Sequence, residues 1–308
     1  MVREEKSTKT NFGLFFDPCG DLDFSLKVTK EAERLGFDSI LFPDHYMSPW
    51  TNVKFDSWSL ISYLAGQVDK IRLGTCVTPI PLRHPSVLAK IVATADILSR
   101  GRVILGVGAG WVKDEFVAYG IGWNGHKTRI EKTKEGIELI LELWTGEEKI
   151  DYQGKHFNLK GAIFLPKPVQ KPHPPLWFGG TSSKILEMVS AYGQGWIPYV
   201  MSAEDFGKSV KSIKNMIPDQ KRREGLTYAY CGPTIISKSS SELDVLIPPN
   251  KKEKADTLWI AGDPKTCVKR VKDYLDNGSN YFVPIFTARE KTLESLELFA
   301  DEVMPSFT

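Results

Sequence analysis

The sequence predicts an α/β protein of the (β/α)8 TIM barrel class, with an insertion after strand four. Short runs rich in branched and aromatic residues alternate with segments of helical period, and eight such units fit within 308 residues. Capping residues such as Asp21, Pro85 and Asp263 at helix starts, and Gly36, Gly193 and Gly278 at helix ends, punctuate the units. The alternation pauses once, after the glycine-rich stretch Gly106 to Gly110. An open doubly wound sheet accommodates eight successive units less well than a closed parallel barrel.

Phe12 to Phe16 reads as the first strand. Asp21 then caps a helix with apolar positions Phe24, Val28, Ala32 and Leu35, three or four residues apart. Ser39 to Phe42 is the second strand, Ser57 to Gln67 a helix, and Ile71 to Val77 the third strand. Pro85 suits the first turn of a helix burying Leu88, Ile91, Val92, Ala95 and Leu98. "GRVILGVGAGWVKDEF" (Gly101 to Phe116) supplies strand four and leads into an acidic, helix-like segment. The insertion, about 119–175, holds an amphipathic helix from Lys127 to Trp144, a hairpin around Gly154 and a proline-rich excursion that excludes regular structure. "PLWFGG", "GWIPYV", "TYAYCGPTII" and "NYFVPIF" are strands five to eight. Their helices run from Lys184 to Tyr192, Ala203 to Met216, Asp263 to Leu275 and Thr292 to Val303. No composition shift divides the chain, which reads as one domain over 1–308.

Composition excludes several classes. A hydrophobic fraction of 42% and a charged fraction of 25% are those of an ordinary globular protein. A net charge of +2 gives no broad basic face for nucleic acid. No apolar run nears the roughly 20 residues that cross a bilayer, and Met1 to Thr10 lacks the apolar core of an export signal. The expectation is a cytoplasmic protein with free thiols at Cys19, Cys76, Cys231 and Cys267. The five histidines are scattered, and no pair has metal-ligand spacing, so no metal site is expected.

The glycines of strand four pose the functional question. In a dinucleotide-binding turn, Gly-x-Gly-x-x-Gly lets backbone approach a pyrophosphate at a helix start. Here the third glycine, Gly110, comes one place early, Trp111 follows it, and the motif sits in the fourth unit. Tight packing at a strand exit and a cofactor site at the barrel's carboxyl rim both explain it. Other strand ends carry unusual residues too: Asp44 and His45 after strand two, Thr75 to Thr78 after strand three, and Gly179, Gly180, Thr181 and Ser182 after strand five. That last run suits an anionic phosphate held by amides, hydroxyls and a helix dipole, although plain capping also uses hydroxyls there.

These residues resemble the bacterial luciferase-like family, and within it the branch of coenzyme F420-dependent oxidoreductases. The matching stretches are "EAERLGFDSILFPDHY", "IRLGTCVTPI", "HPSVLAKIVATADILSRGRVILGVGAGWVKDEF", "LWFGGTSS" and "IAGDPKTCVKRVKDYLDNGSNYFVP", spread from Phe12 to Phe286. The resemblance implies a flavin-type ring at the rim. It places Asp44 and His45 beside that ring, with His45 assisting proton movement. It also implies a non-prolyl cis peptide joining Cys76 to Val77, with Thr78 nearby, a rim segment Gly108, Ala109 and Gly110, and a phosphate turn Gly179 to Ser182. Two departures stand out. The family's glucose-phosphate dehydrogenases carry a catalytic acid where this chain has Trp111, which disfavours that sugar chemistry. The segment after the strand-four glycines also differs from the more polar one of methylene-tetrahydromethanopterin reductases. Trp50, Trp111 and Trp123 are candidates to wall an apolar substrate pocket, or equally to serve as core aromatics.

The expected activity is hydride transfer between F420 and a small organic substrate, with His45 managing the proton. FMN-dependent monooxygenation, served by a flavin reductase, stays open on the same scaffold, as does non-catalytic binding of a flavin or deazaflavin. In the FMN case the Tyr152 to Pro175 excursion is a candidate lid, or equally a static structural collar. Lys127, Arg129 and Lys184 are candidate partners for a cofactor's negative tail. Relatives pair through barrel helices, so the resemblance implies a homodimer.

Overall fold

Eight parallel strands close into a barrel in this computed structural model, which describes residues 10–47, 53–247 and 249–307. They are β1 (Asn11–Phe15), β2 (Ser39–Phe42), β3 (Arg72–Thr75), β4 (Val103–Gly108), β5 (Leu176–Phe178), β6 (Gly195–Trp196), β7 (Thr227–Ile236) and β8 (Tyr281–Phe286). Each pairs in parallel with the next, and β8 returns to β1 through Asn11↔Tyr281, which closes the ring.

Strand sequence explains this closure. A barrel strand is covered on both faces, so its residues run apolar without alternation; β2 and β4 are buried along their whole lengths. Side chains of Leu41, Ile104, Trp177, Ile197, Ala229, Cys231, Tyr281 and Val283 fill the interior, and the opposite faces pack under the surrounding helices. The helices are α1 (Leu22–Arg34), α2 (Ser57–Ala65), α3 (Pro85–Leu98), α4 (Lys113–Ala118), α5 (His126–Thr145), α6 (Ser183–Tyr192), α7 (Ala203–Met216), α8 (Gln220–Gly225), α9 (Ser240–Leu246), α10 (Lys252–Leu258), α11 (Pro264–Asp276) and α12 (Thr292–Glu302). The expected caps are present: Asp21 Oδ1 accepts the Phe24 amide, Asp263 Oδ1 accepts the Thr266 amide, and Pro85 opens α3.

Between β4 and β5 the chain forms α4, α5 and an antiparallel hairpin, Lys149–Gln153 with Asn158–Ile163, before the irregular proline-rich return. Lys167 Nζ donates to the carbonyls of Leu143, Gly146 and Glu147, and Asp96 accepts the Val169 and Gln170 amides. Residues 167–170 thus fasten that return to the end of α5 and to α3. The sixth strand is shorter than "GWIPYV" suggests, because pairing ends at Trp196 and resumes only as an isolated bridge from Tyr199 to Cys231. Three short helices and a side strand, Ile260–Gly262, cover the β7 to β8 connection and the approach to it. Among the described residues, no helix is long and apolar enough to cross a membrane.

Gly106 marks the tightest point of the wall. A Cβ there would collide with the Thr75 carbonyl oxygen, which belongs to a backbone that cannot swing aside. Gly106→Ala should lower stability by about 1–3 kcal/mol or more, read as a fall in the urea midpoint. Gly122→Ala, where nothing lies within 4 Å of an added Cβ, should leave the midpoint unchanged.

Candidate active site

Strand ends at the carboxyl rim carry the chemistry in barrels of this kind, and here the rim is assembled around one side chain. The Cys76–Val77 peptide bond is cis. Beyond it the chain pairs again with β4, through Thr78↔Val107 and Pro79↔Gly108. Val77 occupies space that three glycines leave open. A Cβ on Gly108 would stand 2.6 Å from Val77 Cγ2, and Cβ atoms on Gly106 and Gly179 would each stand 3.1 Å from Cγ1. The Gly179 amide donates to the Val107 carbonyl at 2.8 Å, tying the end of β5 to β4. The ends of β3, β4 and β5 thus form one continuous surface with no side chain but valine projecting between them.

Asp44 and His45, adjacent after β2, are held by different partners. Asp44 is fully buried. Its Oδ2 accepts from Thr78 Oγ1 and Arg83 Nη1, both at 2.7 Å, while Oδ1 accepts from Arg83 Nη2 at 2.9 Å. Arg83 also reaches Asp56 at 2.7 Å and covers the Tyr46 ring at 4.8 Å. Burial depresses the Arg83 pKa, but the charge and hydrogen bonds of Asp44, with Tyr46 and Asp56, together outweigh that and raise it. Trp58 Nε1 donates to Thr78 Oγ1 at 3.1 Å, so the group that ties Asp44 to the cis segment is itself anchored from α2.

His45 is 8% exposed, and its Nδ1 lies 3.0 Å from Glu115 Oε2. Glu115 is fully buried, and its Oε1 accepts the amides of Tyr46 and Met47 at 2.5 and 3.3 Å. A carboxylate gathering amide donors on one oxygen presents its other oxygen as an acceptor, so Nδ1 donates to it and Nε2 is the ring nitrogen left for other partners. Trp111 stands edge-on to His45, ring centroids 6.1 Å apart at 89°, and is 57% exposed. Glu115 belongs to α4, immediately after the glycine segment, and so joins the end of β4 to the loop after β2.

The remaining expected residues fall around this centre. Ala109 and Gly110 are half-buried beside Gly108; Gly110 has φ +79°, and a Cβ there would meet the Phe116 ring at 2.8 Å. Gly180, Thr181 and Ser182 are exposed, with Gly180 at φ +100°. Ser182 occupies the cap position of α6 but makes no capping bond with its side chain; its carbonyl accepts the Ile185 and Leu186 amides. Arg129, in the first turn of α5, is 7% exposed; its Nη1 donates to the Asn124 carbonyl at 2.5 Å and its guanidinium lies 3.7 Å over Trp123, yet its buried Nε has no hydrogen-bond partner. Trp123 packs edge-on against Phe116 at 5.2 Å. Lys184 is engaged with Glu187, and Lys127 is exposed. Trp50 lies outside the described residues.

Two contributors were missed by sequence reasoning. Glu115 sits 70 positions from His45, and its only signal is an acid placed just before Phe116 on a short helix. Arg83 lies 39 positions from Asp44, in the "LRHP" run before α3.

A model of the luciferase-like monooxygenase family matches residues 9–250. An F420-dependent glucose-6-phosphate dehydrogenase from Amycolatopsis mediterranei is 28% identical over 89% of this chain and 91% of its own length. An FMNH2-dependent dimethylsulfone monooxygenase from Pseudomonas putida is also 28% identical, over 65% of this chain and 53% of its own. A solved F420-dependent secondary alcohol dehydrogenase, in complex with an F420-acetone adduct, shares the fold with a TM-score of 0.84 at 19% identity, covering 98% of this chain and all of that one.

Removing one partner of the buried Arg83–Asp44 pair leaves a carboxylate without its counter-charge. Arg83→Met should cost about 3–5 kcal/mol, measured by urea unfolding. Arg83→Lys should recover only part of that loss, because an ammonium cannot reproduce the two-point contact.

Proposed function

Since the chain belongs to the bacterial luciferase-like family, we propose that it is an oxidoreductase that uses coenzyme F420 to exchange a hydride with a small, uncharged organic substrate. One observation supports this reading: Val77 packs against Gly106, Gly108 and Gly179 at the ends of β3, β4 and β5, while Glu115, on the helix that follows Gly108 to Gly110, holds His45 at the end of β2. The chain acts as a single domain, with about 119–175 as an insertion. The thiols left unpaired in Cys19, Cys76, Cys231 and Cys267 suit a cytoplasmic setting, and a homodimer is expected.

The residues present fit such a cofactor. Gly106, Gly108 and Gly179 leave a face around Val77 free of side chains, suited to a flat ring. The open first turn of α6, with Gly179 to Ser182 leading into it, suits a phosphate. Arg129, buried and with no acid partner among the described residues, suits a negative charge at the β4 side, with Lys127 nearby on the same turn. When bound, the deazaflavin supplies the carbon that gives or takes the hydride.

The protein's own work is orientation and proton handling. Glu115 fixes the His45 ring and directs Nε2 toward the mouth, where it gives or accepts the proton that accompanies hydride exchange at a carbon–oxygen or similar bond. Trp111, edge-on to His45, provides an apolar wall in place of a charged one. That wall supports an apolar or aromatic substrate over a sugar phosphate. Asp44 stays behind the rim, where it holds the loop.

His45→Ala should keep F420 affinity within about threefold yet reduce turnover on the order of 10²–10⁴-fold, assayed with a substrate found by screening alcohols, ketones and enones for a change in deazaflavin absorbance. Glu115→Gln should lower kcat on the order of 10-fold with KM little changed; a loss confined to stability would remove Glu115 from the mechanism. Fluorescence titration separates the cofactors. Micromolar binding of F420 is expected. Tight uptake of FMN alone, with substrate-dependent oxygen consumption, would establish the monooxygenase reading that the dimethylsulfone enzyme's likeness keeps in view.

A further inference from the structure

The mouth contains a second chemical group for which hydride exchange has no use. Cys76 and Cys231, 155 positions apart, bring their sulfur atoms to 3.9 Å across the barrel. Cys76 projects from the segment after β3 and is half-buried; Cys231 comes from β7, is 2% exposed, and belongs to the interior layer that Cys76 and Val77 pack against. The other two thiols are elsewhere: Cys267 faces the carbonyls of Ile235 and Gly262, and Cys19 lies on the loop after β1 beside Asp17.

We propose that Cys76 and Cys231 form a reversible redox modification site, closed to a disulfide by hydroperoxides. The asymmetry of the pair assigns the roles. Cys76 has the route to solvent. The Cys76 sulfur beside it, and then burial, push the Cys231 thiol well above its ordinary range, which suits Cys231 to the second, resolving step. The Cys76 sulfur attacks the peroxide O–O bond, becoming a sulfenic acid as an alcohol, or water from hydrogen peroxide, leaves. The Cys231 sulfur then displaces water from that sulfenic sulfur. Two thiols lose two protons and two electrons, and one hydroperoxide is reduced; with hydrogen peroxide the products are two waters. The sulfurs need close only from 3.9 Å to about 2.05 Å.

This closure bears on the mouth itself. Cys76 immediately precedes Val77, the side chain lodged among Gly106, Gly108 and Gly179. Drawing Cys76 toward β7 displaces that residue and spoils the face offered to the cofactor. This second half of the proposal rests on the function proposed above; the thiol chemistry does not.

The test uses the cofactor-free, fully reduced chain and hydrogen peroxide. Intact mass should fall by about 2 Da, two of the four thiols should cease to titrate, and a non-reducing digest should join the peptides holding Cys76 and Cys231. In Cys231→Ser, dimedone should instead trap a sulfenic acid on Cys76. Wild-type mapping decides the matter even if that variant folds poorly. Four titratable thiols after peroxide, a link through Cys19 or Cys267, or a link between chains would overturn the site. F420 affinity should drop at least about 10-fold on oxidation and return with dithiothreitol; a disulfide with unchanged affinity would overturn the switching role. If the reduced protein binds no F420, the proposed function fails while the mass result stands by itself.

Discussion

The close approach of Val77 to Gly106, Gly108 and Gly179 is the constraint on which the mouth depends. Glycine in a strand costs roughly 0.5–1 kcal/mol relative to alanine through chain entropy. An alanine Cβ at 2.6 Å from a valine methyl group, or driven into the Thr75 carbonyl, costs about 1–3 kcal/mol or more. The second penalty exceeds the first at Gly106 and Gly108, so glycine is the favoured residue there despite its looseness. Val77 is in turn held from both sides: Thr78 re-pairs with β4, and its hydroxyl is bound to Asp44. The ends of β2, β3, β4 and β5 therefore cannot be repositioned one at a time.

Asp44 and His45 show how adjacent residues acquire opposite duties from their surroundings. Desolvating Asp44 and Arg83 costs several kcal/mol for each ion, and their attraction roughly returns it, so the pair adds little net stability. What it adds is position, because sliding the loop would leave one buried charge uncompensated. His45 carries no such obligation. Its Nδ1 is fixed by Glu115, whose other oxygen holds the amides of the next two residues, so the ring and its own loop are set by one carboxylate.

Strand and helix alternation was legible in the sequence because both periods are local, and the caps at Asp21, Pro85 and Asp263 stand where the residues suggest. The glycines of β4, the cis bond and the turn after β5 were legible through family resemblance, and geometry adds the reason: one valine needs all three openings. Glu115 and Arg83 were not legible, since each acts on a residue brought close only when the barrel closes. The Cys76–Cys231 proximity has the same origin; nothing in 155 intervening residues signals it. The sixth strand was over-read for a different reason. Apolar residues continue to Val200, but only Gly195 and Trp196 find continuous ladder partners on either side.

The distribution of charge indicates what kind of molecule the mouth receives. Asp44 spends its oxygens on Arg83 and Thr78, and Glu115 spends its own on His45 and two amides. Three of the roughly four acceptor sites of each carboxylate are thus used inside the protein, and a buried acid engaged in this way adds little field to the space in front of it. The inner mouth is therefore close to neutral, lined by Val77, glycine backbone, the Cys76 sulfur and the His45 ring, with Trp111 at its edge. Positive character is offered by the start of α6 and by Arg129 on the first turn of α5. A ligand matched to this pattern has a flat, weakly polar end and an anionic tail. A second molecule beside that flat end meets an imidazole nitrogen rather than a fixed charge, which favours chemistry in which a neutral substrate changes its hydrogen count and a single proton has to be placed.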